Sequence, residues 1–114
     1  MSRNSIVRVA HRGASAQYPE NTLLAFRQAI EKGVDVLEID IHRTSDNELV
    51  VMHDSTLERR TDGHGNVCDH SLREIRGLDA GQGEKIPLLT EVIQLARETN
   101  GVKSVDNKLT VQRG

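Results

Sequence analysis

Residues 35–41, Asp-Val-Leu-Glu-Ile-Asp-Ile, constrain this chain more than any other stretch. Apolar side chains alternate with carboxylates at the period of a strand. Leu37, Ile39 and Ile41 therefore face one way, while Val36, Glu38 and Asp40 face the other. A β-branched run precedes it at residues 6–11, Ile-Val-Arg-Val-Ala-His. Between the two runs a loop from Arg12 to about Glu20 leads to Asn21 or Thr22, either of which caps a helix. That helix runs to about Lys32, with Leu23, Phe26 and Ile30 at helical spacing and Gly33 as its stop. Strand, helix and strand in about 35 residues make one βαβ unit, with parallel strands and the helix across one face.

Beyond residue 41 the pattern continues less regularly. Ser45-Asp46-Asn47 signals a turn, and residues 48–53 read as a third strand. Residues 54–87 are polar and turn-rich, with a short helix expected from Ser71, where Ser71 and Glu74 fit a capping box. Leu89, Val92, Ile93 and Ala96 give a second amphipathic helix, ended by Asn100-Gly101, and a last strand falls within 102–111. Alternating strands and helices indicate an α/β fold with a mainly parallel sheet. Such a sheet needs both faces covered, and two substantial helices leave it incomplete. The core has to be aliphatic, since Tyr18 and Phe26 are the only aromatic residues. Each fully buried aliphatic contributes about 1.5–3 kcal/mol.

Composition excludes several functions. A net charge of −2, with no basic stripe and 2% aromatic residues, argues against a nucleic-acid partner. The longest apolar runs, Leu23–Phe26 and Leu49–Met52, are four residues each, so no transmembrane segment is expected. Cys68 stands alone, which suits a reducing, cytoplasmic setting, and nothing in its surroundings marks it as an activated nucleophile.

Glu38 and Asp40, two residues apart on one face, are costly to bury unless a cation or a donor compensates them. Their oxygens can converge on one hard divalent ion, Mg²⁺ or Ca²⁺. The alternative is an antiparallel, half-exposed strand on which both are simply wet. His42 is next in the row, either as a third ligand or as the strand's polar end, and the second is the expectation. His11 closes the first strand and His53 the third. Catalytic groups gather at the carboxyl ends of parallel strands, and a histidine pair can supply a general acid and a general base. Arg12 offers a planar fork suited to phosphate. His64 and His70 read as solvated loop residues.

Six motifs in order then resemble the glycerophosphodiester phosphodiesterases. They are His11-Arg12-Gly13, Pro19-Glu20-Asn21-Thr22, Glu38-Ile39-Asp40, Val50-Val51-Met52-His53-Asp54, Arg60-Thr61 with Gly63 and Gly65, and Ile86-Pro87-Leu88-Leu89. The resemblance covers about residues 6–100. It implies the N-terminal part of a TIM-type (β/α) barrel, with residues 54–87 as the family's small insertion beside the glycerol side of the site. It implies metal-dependent cleavage of glycerophosphodiesters, with Glu38 and Asp40 as ligands of one divalent cation. His11 and His53 become the acid–base pair, and Arg12 the phosphate holder.

Two departures from that pattern stand out. The family carries a further strand with a glutamate ligand followed two residues later by a lysine. Val105-Asp106-Asn107-Lys108 is only a loose counterpart, and the expected site is built without it. A barrel also takes about 250 residues, against 114 here. A truncated, non-catalytic fragment that binds metal or a partner chain is therefore the alternative reading. A second copy completing the sheet is a further expectation, and phospholipase C- or D-like phosphodiesterases are the nearest enzymatic alternative.

Overall fold

A computed structural model describes residues 8–98 and the backbone of residues 104–109. The expected βαβ unit comprises β1 (Val9–His11), α1 (Leu23–Glu31) and β2 (Val36–Arg43), with β1 and β2 parallel. Thr22 caps α1, its hydroxyl accepting from Ala25 N–H, and Gly33 at φ 84° turns the chain out of the helix. Residues 6 and 7 of the first expected strand lie outside the described residues.

The third strand, β3 (Leu49–Val51), is shorter than expected and runs antiparallel to β2. The cause is the turn. Thr44 N–H bonds Glu48 O, its hydroxyl bonds Asp46, and Asn47 takes φ 65°. A connection this short joins strands only as a hairpin. His53 therefore does not close a parallel strand, contrary to the sequence reading.

After β3 the chain forms a 3₁₀ turn at Val67–Asp69, then α2 (Leu72–Arg76) and α3 (Leu89–Arg97). The Ser71–Glu74 capping box is present at α2. The expected stop of α3 at Asn100-Gly101 lies outside the described residues. Strand β4 (Ser104–Leu109) runs parallel to β2.

Strand β2 organises this sheet. Its even-numbered residues turn their backbone groups to one edge: Val36 N–H bonds Arg8 O, Glu38 O accepts from Arg12 N–H, and Asp40 O accepts from Met52 N–H. Strands β1 and β3 thus lie end to end along the same edge, and β4 takes the other, pairing with Val36–Ile41. The faces divide as the alternation predicts. Leu37, Ile39 and Ile41 join Ala10, Phe26, Ala29, Val51 and Val92 in one core beneath α1 and α3.

A second core consists of Val50, Met52, Leu57, Val67, Ile75 and Ile86. Val50 and Met52 flank Val51 on β3, so that strand is the seam between the two cores. Residues 54–87 are anchored at two further points. Arg76 forks onto Glu91 at 2.9 and 3.1 Å, and Glu84 Oε1 accepts from Leu24 N–H at the start of α1. His70 keeps part of its ring open to solvent, as expected, and meets the His64 carbonyl at 2.7 Å within this segment.

Gly13 shows how closely the loop after β1 seats on α1. It takes φ 80°, and a Cβ there would stand 2.8 Å from the Ala25 carbonyl carbon. Gly13→Ala is expected to cost about 2–4 kcal/mol of folding stability from strain plus overpacking. Urea unfolding checks this, and a loss below about 1 kcal/mol would mean the loop yields freely.

Candidate active site

The edge arrangement of β2 determines what meets at its centre. Strand β1 arrives from one end and stops level with Glu38, while β3 arrives from the other and continues through Met52 to Asp40. His11 and His53, at the two strand ends, are thereby brought toward one stretch of β2. His11 is also the register partner of Glu38, on the same face.

Each imidazole is held the same way. His11 Nδ1 pairs with Glu38 Oε1, and His53 Nδ1 stands 2.9 Å from Asp54 Oδ1. A carboxylate on Nδ1 fixes the proton there and leaves Nε2 as the working nitrogen. Both side chains are partly open, at 58% and 41% exposure, so both Nε2 atoms remain reachable. Asp54 in turn takes Arg59 Nε and Nη2, both at 2.7 Å. Those charged donors, with the His53 contact, hold the Asp54 carboxyl far below the usual range against the opposing effect of burial.

Asp40 is surrounded by the loop after β1. Asn21 Nδ2 donates to Asp40 Oδ2 at 3.3 Å, and Arg12 Nε lies 3.5 Å from the same oxygen. Arg12 (φ 60°) and Asn21 (φ 57°) both adopt left-handed backbone, a strain that tends to gather at functional sites. Two backbone bonds hold them, Arg12 N–H to Glu38 O and Asn21 N–H to Arg12 O.

His42 is the polar residue near the end of β2, as expected, and it is turned inward. It is 2% exposed, and its Nε2 donates to the His53 carbonyl at 3.0 Å, fixing the backbone that carries His53. Sequence reasoning also gave no part in the site to Glu20, Asn21, Asp54 and Arg59. The first three lie inside motifs that carried the resemblance, which was their one available signal. Arg59 adjoins such a motif, and only the folded loop reveals its bond to Asp54.

The sequence profile of the glycerophosphoryl diester phosphodiesterase family matches residues 11–113. This chain belongs to that family. A glycerophosphodiester phosphodiesterase of Caldanaerobacter subterraneus subsp. tengcongensis is 44% identical over 107 residues, covering 88% of this chain and 44% of that relative. Human glycerophosphodiester phosphodiesterase 1 is 44% identical over 100 residues, covering 80% of this chain and 30% of the human protein. An Oleispira antarctica phosphodiesterase, solved with the product sn-glycerol-3-phosphate, superposes with a TM-score of 0.88 at 36% identity. That superposition covers 94% of this chain and 45% of the solved one. The chain thus spans less than half the length of these members of the glycerophosphodiester phosphodiesterase family.

The donor set can be tested against the divalent cation expected from sequence. Among the described residues no three His, Cys, Asp or Glu side chains form a ready cluster. The carboxylate pair is nevertheless suited to a hard ion, and the surrounding shell leaves oxygen capacity unused. Asn21 Oδ1, beside Asp40, is one of two buried polar atoms with no hydrogen-bond partner among the described residues, the other being Arg12 Nε. By register, Asp106 of β4 sits beside Glu38, and Lys108 beside Asp40. A third acidic position therefore stands next to the pair, on the strand that sequence reasoning discounted. The chemistry fits.

Since the folded Asp54 titrates below its unfolded value, its stabilisation is complete above about pH 4 and is lost as pH falls further. Asp54→Asn is expected to cost about 1 kcal/mol near neutrality, a modest value because Arg59 is half exposed. The gap to wild type should narrow steadily on acidification from pH 5 to pH 2. Denaturant unfolding across that range checks it, and a gap that ignores pH would contradict the pairing.

Proposed function

We propose that this chain carries the site-bearing N-terminal part of a metal-dependent phosphodiesterase that hydrolyses glycerophosphodiesters to glycerol 3-phosphate and an alcohol. The observation that carries the reading is a pair of imidazoles, each held by a carboxylate through Nδ1, at the ends of two strands that meet along the β2 edge of Glu38 and Asp40. The matching motifs and the product-bound relative give the substrate class.

In this reading Glu38 and Asp40 hold one Mg²⁺ or Ca²⁺. The ion, when bound, polarises a phosphoryl oxygen and neutralises charge that develops there. Arg12 is engaged by Glu20 through Nη1 and by Asp40 near Nε, which leaves Nη2 to a phosphate oxygen. One Nε2 takes the proton of the nucleophile, water or a glycerol hydroxyl, as its bond to phosphorus forms, and the other gives a proton to the departing alcohol oxygen as that P–O bond breaks. Where the glycerol hydroxyl attacks, water then opens the cyclic phosphate. Residues 54–87 form the insertion beside the glycerol side of the substrate. With residues completing a TIM-type barrel elsewhere, the reaction serves glycerophospholipid turnover in the cytoplasm, where lone Cys68 stays reduced.

His11→Ala and His53→Ala should each lower kcat/KM on glycerophosphocholine by about 10²–10⁴-fold, and a chelator should abolish turnover until Mg²⁺ or Ca²⁺ is restored. A coupled assay for released glycerol 3-phosphate measures both. Turnover that survives both histidine substitutions would dismiss the reading. Binding of metal without turnover would favour the non-catalytic alternative.

A further inference from the structure

Glu20 belongs to the Pro19–Thr22 motif, yet the acid–base reading gives it no part. Its side chain is 7% exposed. A carboxylate so far removed from water is costly unless cations surround it. Three guanidinium groups do: Arg60 Nη2 at 2.9 Å and Arg12 Nη1 at 3.4 Å on Oε1, and Arg59 Nη2 at 3.5 Å on Oε2.

These cations come from two separate pieces of chain. Arg12 follows β1, whereas Arg59 and Arg60 belong to the segment after His53. Arg59 gives its remaining contacts to Asp54, and Asp54 faces His53 Nδ1. The contacts therefore run unbroken from Arg12 through Glu20, Arg59 and Asp54 to His53. Glu20, Arg60 and His53 also line one small cavity.

We propose that Glu20 is a positioning residue that holds Arg12 and Arg59 on its two carboxylate oxygens and so registers the His53–Asp54 pair against the loop after β1. A residue that merely fills space would be replaced adequately by glutamine, which has the same shape. A positioning carboxylate would not, because three guanidinium groups would lose their shared anion and Arg59 its fixed distance from Arg12. Among the described residues, the charged groups on the elements packed about His53 are Asp54 on its own loop, Arg59 and Arg60 from the following segment, Glu20 from the loop before α1, and Asp40 on β2, whose carbonyl binds Met52 N–H. His42 touches only its carbonyl.

The test uses the full chain and follows the His53 ring by NMR across pH in wild type, Glu20→Gln, Arg59→Gln and the double variant. Glu20→Gln should melt cooperatively yet lower the apparent His53 pKa by about half a unit or more. In the Arg59→Gln background the same substitution should have little further effect, since its route to His53 is already cut. Glu20→Asp, too short to bridge both arginines but still charged, should shift His53 the same way by about half as much, and serves if Glu20→Gln fails to fold. No shift in either Glu20 variant, or an equal shift with and without Arg59, would overturn the proposal. A kinetic arm rests on the phosphodiesterase reading: Glu20→Gln should lower kcat on glycerophosphocholine by about 10–100-fold. If wild type cleaves no glycerophosphodiester, that reading fails, while the titration still decides the role of Glu20.

Discussion

Two carboxylates on one face of a central strand have to be compensated, and the rest of this structure is arranged around that requirement. Glu38 and Asp40 lie on the strand that pairs with every other strand in the sheet. Their opposite face seals the aliphatic core under α1 and α3, so neither side chain can escape by rotating the strand. Compensation comes from His11 on Glu38 and from Asn21 and Arg12 around Asp40, and among the described residues Asn21 Oδ1 in that shell has no hydrogen-bond partner. A protein interior tolerates such a concentration of charge where a cation or a charged substrate completes it.

The segment 54–87 is tied into this arrangement. It has a core of its own, and it reaches that core through Val50 and Met52, on the face of β3 that continues the row of Glu38 and Asp40. Glu84 supplies a hydrogen-bond acceptor to the first turn of α1, and Arg59 clamps Asp54 against His53. Movement of this segment would therefore disturb both the Asn21 loop and one imidazole. Packing and site geometry are coupled here through a few named contacts.

Much of this was legible in the sequence, because the strongest signals are local. The alternation of residues 35–41 separates core from site, Thr22 and Gly33 bound α1, and Ser71 and Glu74 announce α2. What escaped depends on contacts distant in sequence. The antiparallel course of β3 follows from the three-residue turn before it, a signal that was present but not carried through to strand direction. The buried role of His42 requires knowing that β3 folds back over β2. Glu20 stands in a matching motif without a stated part until Arg59 and Arg60 return to it from about forty residues away. Asp106 is a loose counterpart by sequence, and its register beside Glu38 is set by the pairing of parallel strands.

The central claim is that a divalent cation binds between two imidazoles at Glu38 and Asp40. Paramagnetic broadening by Mn²⁺, read from the histidine ring signals, tests it most directly. The account predicts that His11 and His53 broaden together at stoichiometric Mn²⁺, ahead of His64 and His70, and that Glu38→Gln with Asp40→Asn removes the effect. Mn²⁺ that binds while both of those rings stay sharp would contradict it.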